Sequence, residues 1–350
     1  YNRAAVWAGD EYCDFELLDY DSFGGKSSGT PGGGSMKILT MFVDEEELPV
    51  TKPPEQTNFL RYALKKGLQQ QAELGVNSFR YGLIGSTDTH IAAPGLVMEK
   101  NFPGHGGAGK GSGGDLPEGL PDDLEYGPGG LAVLYAEENT RDSLFAAMQR
   151  REAYATSGTR PVLRFFGGWD YSSELCNASD QVARGYAGGV PMGGELPPRP
   201  TPGAAPRFLV MAAYDPGTAE YPGAQLQRIQ LIKGWYLDGE LEERVLDVAG
   251  GDNAAGVDIN SCERHGPGHR QLCTVWEDPD FDPRAQAFYY TRVLENPSCR
   301  WSQYACAEAG VRCDDPASIP EGLGQCCAPE HKKVIQERAW SSPIWYTPAD

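Results

Sequence analysis

The sequence predicts an α/β protein whose second half is dominated by β-strands. Leu60, Leu64, Leu68 and Ala72 recur every four residues, the spacing of a helix with one apolar face. An apolar run over residues 79–85 follows and leads straight into Ser86-Thr87-Asp88-Thr89-His90. Helix, then strand, then a polar cluster at the strand's end is an α/β unit with its chemistry at the carboxyl edge of a sheet. After Pro161 the pattern changes to strand-length apolar runs separated by turns.

Taken in order, residues 1–52 read as irregular apart from a strand over 36–43, and Pro53-Pro54 introduces the first helix. Gly75 stands where that helix needs a C-terminal cap. Residues 94–130 form one long Gly/Pro-rich loop, the length of a lid or binding loop. A second helix is expected over about 140–151, capped by Asn139 or Thr140. Its inner face would be Leu144, Phe145 and Met148, with Arg150 and Arg151 at its negative end. "AYATSGTRP" reads as a strand and turn. Beyond it, "VLRFFGGW", "RFLVMAAY", "LQRIQLIKGWYL", "ERVLDVA" and "AFYYTRVLE" read as strands, and Asp238-Gly239 is a hairpin signal. The expected division is 1–160 and 161–350, the second part β-rich, a sandwich with a cysteine-rich tail.

Composition narrows the function. Thirty basic against 49 acidic residues give a net charge of −19, which argues against tracking nucleic-acid phosphates. No apolar run approaches the roughly 18 residues of a membrane span. Of nine cysteines, Cys13 and Cys176 stand alone, while Cys262, Cys273, Cys299, Cys306, Cys313, Cys326 and Cys327 crowd the last quarter. None has Cys-x-x-Cys spacing, so disulfides in an oxidising compartment, periplasmic or secreted, explain them better than a zinc ribbon. The odd total leaves at least one cysteine without a partner in this chain. The start at Tyr1, with neither Met nor signal peptide, is read as that of a processed or truncated piece.

In an extended strand, residues i and i+2 project to one side, roughly 6–7 Å apart. Asp88 and His90 can therefore converge on one cation as a hard oxygen and a borderline nitrogen. The competing reading is a strand-end turn capped by Asp88 with His90 in solvent.

"RYGLIGSTDTH", "EYGPGGLAVLYAEENTRDSLFAAMQRREAYATSGTRP", "RFFGGWDY", "VWEDPDFDP", "FYYTRVLENPSCRWS" and "IQERAWSSPIWYTP" together resemble the bacterial domain of unknown function 3604 family. That family is similar to the PHP (polymerase and histidinol phosphatase) superfamily of metal-dependent hydrolases. The resemblance implies a distorted β/α barrel, here partial, holding divalent ions, zinc or manganese (Zn or Mn), with a late Asp-x-His motif among the ligands. Asp88 and His90 match that motif. The superfamily's early His-x-His pair has no counterpart among His90, His105, His265, His269 and His331. The expectation is the C-terminal part of a longer enzyme, its N-terminal barrel segment missing, acting on a small phosphoester-like substrate. A non-catalytic extracytoplasmic binding or structural module is the alternative.

Other candidates come from the residues alone. His105, in "FPGHGG", is either a solvated loop histidine or a ligand or proton-transfer group. Ser157, Thr159 and Arg160 in "ATSGTR" set a guanidinium beside hydroxyls, which suits an oxyanion; a plain turn is the alternative. Ser157 lacks a Gly-x-Ser-x-Gly elbow and is not proposed as a nucleophile. "FGGKSSG" has Tyr20 where a phosphate loop needs its first glycine, and Asp278, Asp280 and Asp282 lack the remainder of an EF-hand loop. Cys262, His265, His269 and Cys273 have zinc-like spacing, but Gly266-Pro267-Gly268 breaks the helix of a finger, so a Cys262–Cys273 disulfide is preferred.

Overall fold

The computed structural model describes residues 60–87, 89–106, 119–122, 124, 127–329 and 331–348. The strand expected over 36–43, the "FGGKSSG" stretch, Cys13 and Asp88 lie outside them.

Helix α1 (Leu60–Leu74) forms as its periodicity predicts, and Gly75 ends it at φ +74°. Leu64 and Leu68 are buried against Ile232, Phe288, Tyr290 and Trp345, while Arg61 and Lys65 pair with Glu243. The strand expected over residues 79–85 does not form, and residues 86 and 87 are irregular as well. Their backbone is held by single bonds instead: Leu83 N–H to the Ser342 hydroxyl (2.8 Å), Gly85 N–H to Leu131 O (3.1 Å), and Gly130 N–H to Ser86 O (2.8 Å).

Strand β1 (Leu131–Leu134) precedes helix α2 (Arg141–Arg150), and β2 (Ala153–Thr156) follows it. Thr140 caps α2 by accepting from Ser143 N, and Arg151 closes it in the left-handed region. The expected inner face is corrected. Phe145 and Met148 are 58% and 55% exposed, Leu144 is partly covered, and Ala147 is the helix's one buried residue.

Strand β3 (Val162–Gly168) is followed by helix α3 (Gln181–Gly188), β4 (Gly189–Pro191) and β5 (Arg207–Ala213). Then come β6 (Leu226–Leu237), β7 (Glu240–Gly250), β8 (Gly256–Val257), β9 (Arg264–His265) and β10 (Gln271–Glu277). The chain continues through β11 (Gln286–Glu295), β12 (Ser298–Cys299), helix α4 (Trp301–Glu308), β13 (Val334–Ile335), β14 (Arg338–Ser341) and β15 (Ile344–Tyr346). As Asp238-Gly239 predicts, β6 and β7 form a hairpin, with both turn residues at positive φ.

The large sheet has the order β1-β2-β14-β11-β6-β7, with β15 also paired to β11; a second sheet has the order β10-β5-β3-β4. Every ladder in both is antiparallel, and no barrel closes among the described residues. The expected partial β/α barrel therefore does not position the site. The large sheet does, and it runs across residue 160, because β2 pairs with β14.

The two sheets share one core. Leu163, Phe165, Phe208 and Val210 of the second meet Ile229, Leu231, Tyr289, Val293 and Ile344 of the first. Period-two alternation puts Ala287, Tyr289 and Val293 of β11 in that core and turns Phe288 and Tyr290 to α1. Both faces of β11 are thus covered.

Four disulfides join Cys176–Cys273, Cys262–Cys299, Cys306–Cys326 and Cys313–Cys327. All seven crowded cysteines are bonded, but Cys262–Cys273 is not one of the pairs. Cys176 at 97 residues' distance takes Cys273 instead, and both cysteines of the zinc-like spacing are consumed. Among the described residues no helix is long and apolar enough to cross a membrane. The disulfides are consistent with an extracellular or periplasmic location.

Candidate functional site at one edge of the large sheet

Register brings several chain segments to one edge. Leu131 and Ala339 both pair with Thr156, and Leu294 pairs with Arg338. The start of β1, the end of β2, the start of β14 and the end of β11 therefore lie side by side. Close approaches at Gly85 and Gly130 let residues 85–87 reach this edge. A Cβ on Gly130 would sit 1.9 Å from Thr156 O, and one on Gly85 would sit 2.6 Å from the same oxygen.

Further along, His90 is exposed, and its N–H donates to His105 O at 2.8 Å. His105 is not a solvated loop histidine. Its side chain is 16% exposed, and Asp122 Oδ2 meets both its backbone N (2.8 Å) and its Nδ1 (2.7 Å). Phe102 packs edge-on against the ring and in turn against Trp301.

The "ATSGTR" residues turn to buried carboxyls. Ser157 Oγ donates to Glu337, and Thr159 Oγ1 donates to Glu295 at 2.8 Å. Glycine is needed between them, since a Cβ on Gly158 would sit 2.9 Å from the Glu337 carboxylate. Arg160 is exposed; its backbone N donates to Asp215 (2.9 Å) and its Nη2 to Gly95 O (3.1 Å). That second bond ties the turn to the beginning of the 94–130 loop.

Burial pushes the Glu295 carboxyl up to about 8. Burial also pushes Glu99 up to about 8, with the neighbouring Glu337 adding to the shift and Arg300 opposing it. Glu337 is raised as well, first by burial, against the Ser157 hydrogen bond. The Glu99 carboxyl accepts from Trp301 N, and Arg300 Nη1 donates to Leu124 O at 2.8 Å. The beginning and the end of the long loop are thereby docked on the segment between β12 and α4.

Asp122, Glu99, Glu295, Glu337 and Arg300 are the residues that sequence reasoning missed. One signal was available for Glu295, an acidic residue closing a strand with no polar face. Asp122 carried none. His265 and His269 are exposed at the β9 turn, and His331 is buried with Nε2 on Ser302 and Nδ1 on Cys326 O, so none of the three joins the site.

Does the edge suit the divalent ion that the resemblance implies? No group of three or more His, Cys, Asp or Glu side chains converges among the described residues, which exclude Asp88. His90, with Asp88 two residues before it, offers nitrogen and oxygen donors of the kind Zn or Mn accepts. A buried carboxylate, Asp122, also holds the ring of His105, as carboxylates do for histidines that bind metal. The chemistry of this donor set fits the group.

Fold and site define a strand-rich, disulfide-stapled protein of mixed helices and antiparallel sheets, with a polar centre at one sheet edge. The chain belongs to the family described as protein of unknown function (DUF3604), which it matches over residues 40–348. Neither the curated proteins nor the solved structures include a match to it.

Proposed function

We propose that the chain is the C-terminal portion of a metal-dependent hydrolase that cleaves phosphoester-like bonds in the periplasm or outside the cell. The observation that supports it is at the sheet edge, where Gly85 approaches Thr156 at the end of β2 and His90, further along, donates its backbone N–H to His105 O. In this reading Asp88 and His90 hold the ion, zinc or manganese. When bound, the ion lowers the pKa of a water and polarises the substrate oxygen. Arg160, exposed at the turn after β2, binds the substrate oxyanion, and the long loop orients the substrate above it. Ser157 and Thr159 donate to Glu337 and Glu295, so their part is to fix the turn that carries Arg160. A further N-terminal barrel segment would cover Tyr81 and Ile84, 42% and 62% exposed beside the site.

The test pairs metal analysis with turnover on phosphate, phosphonate and sulfate esters, in protein extended to its full length. Asp88→Asn and His90→Ala are each expected to lower metal content and turnover together, the turnover by about 100-fold or more. Arg160→Lys should keep the metal and weaken substrate binding, since lysine loses the bidentate fork. Unchanged metal and turnover in both ligand variants would reduce the motif to a strand-end turn.

A further inference from the structure

We propose that the Cys313–Cys327 disulfide is a thiol-exchange site, opened at Cys313 by a small thiol that carries carboxylates, a glutathione-like molecule. The inference is independent of the metal reading, because it uses residues around the cysteine-rich tail alone.

Access comes first. Of the eight cysteines in the four disulfides, Cys313 is the one that is exposed. Cys262, Cys299, Cys306 and Cys326 are buried, and Cys176, Cys273 and Cys327 are partly covered. Cys313 also borders a cleft of about 260 Å³, whose walls include Gln303, Arg312, Asp314 and Lys333. Cys306 and Cys326 border the same cleft, but each is only 1% exposed. Exchange requires a thiolate to reach one sulfur of the bond, so exposed disulfides are the labile ones.

Charge selects the thiol. Lys333 Nζ lies 3.4 Å from Cys313 Sγ. The backbone fixes Lys333 there: its O accepts from Arg300 N at 3.0 Å, and the next residue starts β13, paired with Cys299. Arg312 is engaged by Asp315 at 2.8 Å, and Asp314 opposes both cations, so Lys333 is the charge that meets the sulfur. An ammonium in that place attracts an anionic thiol and stabilises a thiolate formed on Cys313.

The chemistry balances in two steps. The thiolate of the incoming molecule attacks Cys313 Sγ; a mixed disulfide forms there, and the electron pair of the broken bond leaves as the Cys327 thiolate. A second molecule of the thiol attacks the outer sulfur of the mixed disulfide. The small-molecule disulfide departs, and Cys313 is released as a thiolate beside Lys333. The first product is S-thiolated protein, a reversible state.

The test uses the full chain with its four disulfides formed. It is exposed at pH 7 without oxygen to reduced glutathione, to neutral 2-mercaptoethanol or to cationic cysteamine. Acid and N-ethylmaleimide stop the reaction, and mass spectrometry maps every cysteine. The expected first product carries glutathione on Cys313 and maleimide on Cys327, with the other three bonds intact. Per thiolate, glutathione should react about 5-fold faster than 2-mercaptoethanol, and cysteamine slower still. Lys333→Gln should remove that advantage and Lys333→Arg should keep it. Should Lys333→Gln fold poorly by circular dichroism, the three thiols on the parent decide: equal rates overturn the role of charge. A first adduct on Cys327, earlier opening of another disulfide, or four bonds that all resist glutathione would overturn the site itself.

Discussion

Glu295 ends β11 with no exposed surface; Oε1 accepts from Thr159, while Oε2 has no hydrogen-bond partner among the described residues. Its acid is pushed up to about 8 chiefly by burial, with Glu337 and Asp215 raising it further and Thr159 and Arg264 opposing them. The folded state therefore favours the neutral acid. Stability from this site is fully present below about 4.5 and is lost as pH rises towards about 8. Glu99 acts in the same direction over the same range. Glu295→Gln keeps the shape and removes the titration, so it should raise stability at pH 8 by the order of 1–3 kcal/mol and change little at pH 4. Melting curves at the two pH values check this; equal shifts at both would show that Glu295 is already charged in the fold. The site was partly legible at this scale. Ser157, Thr159 and Arg160 do form a turn after β2, and His90 and His105 meet through the backbone, because local motifs mark turns and strand ends. Glu337 and Asp122 were not legible, because carboxylate burial depends on what distant segments cover.

Elements were legible where local chemistry decides them. Asp-Gly sets the β6–β7 turn, and Thr140 caps α2, each through bonds within a few residues. The exposed face of α2 and the missing strand at 79–85 depend instead on distant neighbours, which periodicity does not report. Two substitutions probe the close approach of Gly130 to the end of β2, with Gly75 at the end of α1 as the comparison. Gly130→Ala drives a methyl into Thr156 O and must displace backbone, so it should cost about 2–3 kcal/mol. Gly75→Ala adds a methyl with nothing within 4 Å, and only its φ of +74° opposes it, at about 1 kcal/mol. Urea unfolding ranks the two, and a Gly130→Ala as mild as Gly75→Ala would mean that this contact is loose. Phe145→Ser with Met148→Ser should cost less than about 1 kcal/mol, since both side chains already face solvent; a larger loss would mean that α2 is covered in solution.

Covalent links span the molecule at different lengths, which the crowding of cysteines in the sequence conceals. Crowding indicates an oxidising compartment, but pairing depends on which side chains the sheets bring together. Cys273 sits on β10, packed against the cluster of Phe166, Tyr171, Leu175 and Leu209, and the turn after Leu175 delivers Cys176 to it. That bond closes 97 residues, against 14 for Cys313–Cys327 in the tail. Loop-closure entropy gives roughly 4.7 kcal/mol for a loop near 100 residues and roughly 3 for one near 15. Replacing Cys176 and Cys273 together by Ser should therefore destabilise by about 1–2 kcal/mol more than the same change at Cys313 and Cys327. The long bond also ties the second sheet to the segment after β3, so its loss should loosen the shared core, while loss of the tail bond stays local. Chemical denaturation of both double variants gives the order, and non-reducing peptide mapping of the parent should recover Cys176 linked to Cys273. A Cys262–Cys273 peptide in its place would overturn the pairing and, with it, the packing of β10 on the chain around Cys176.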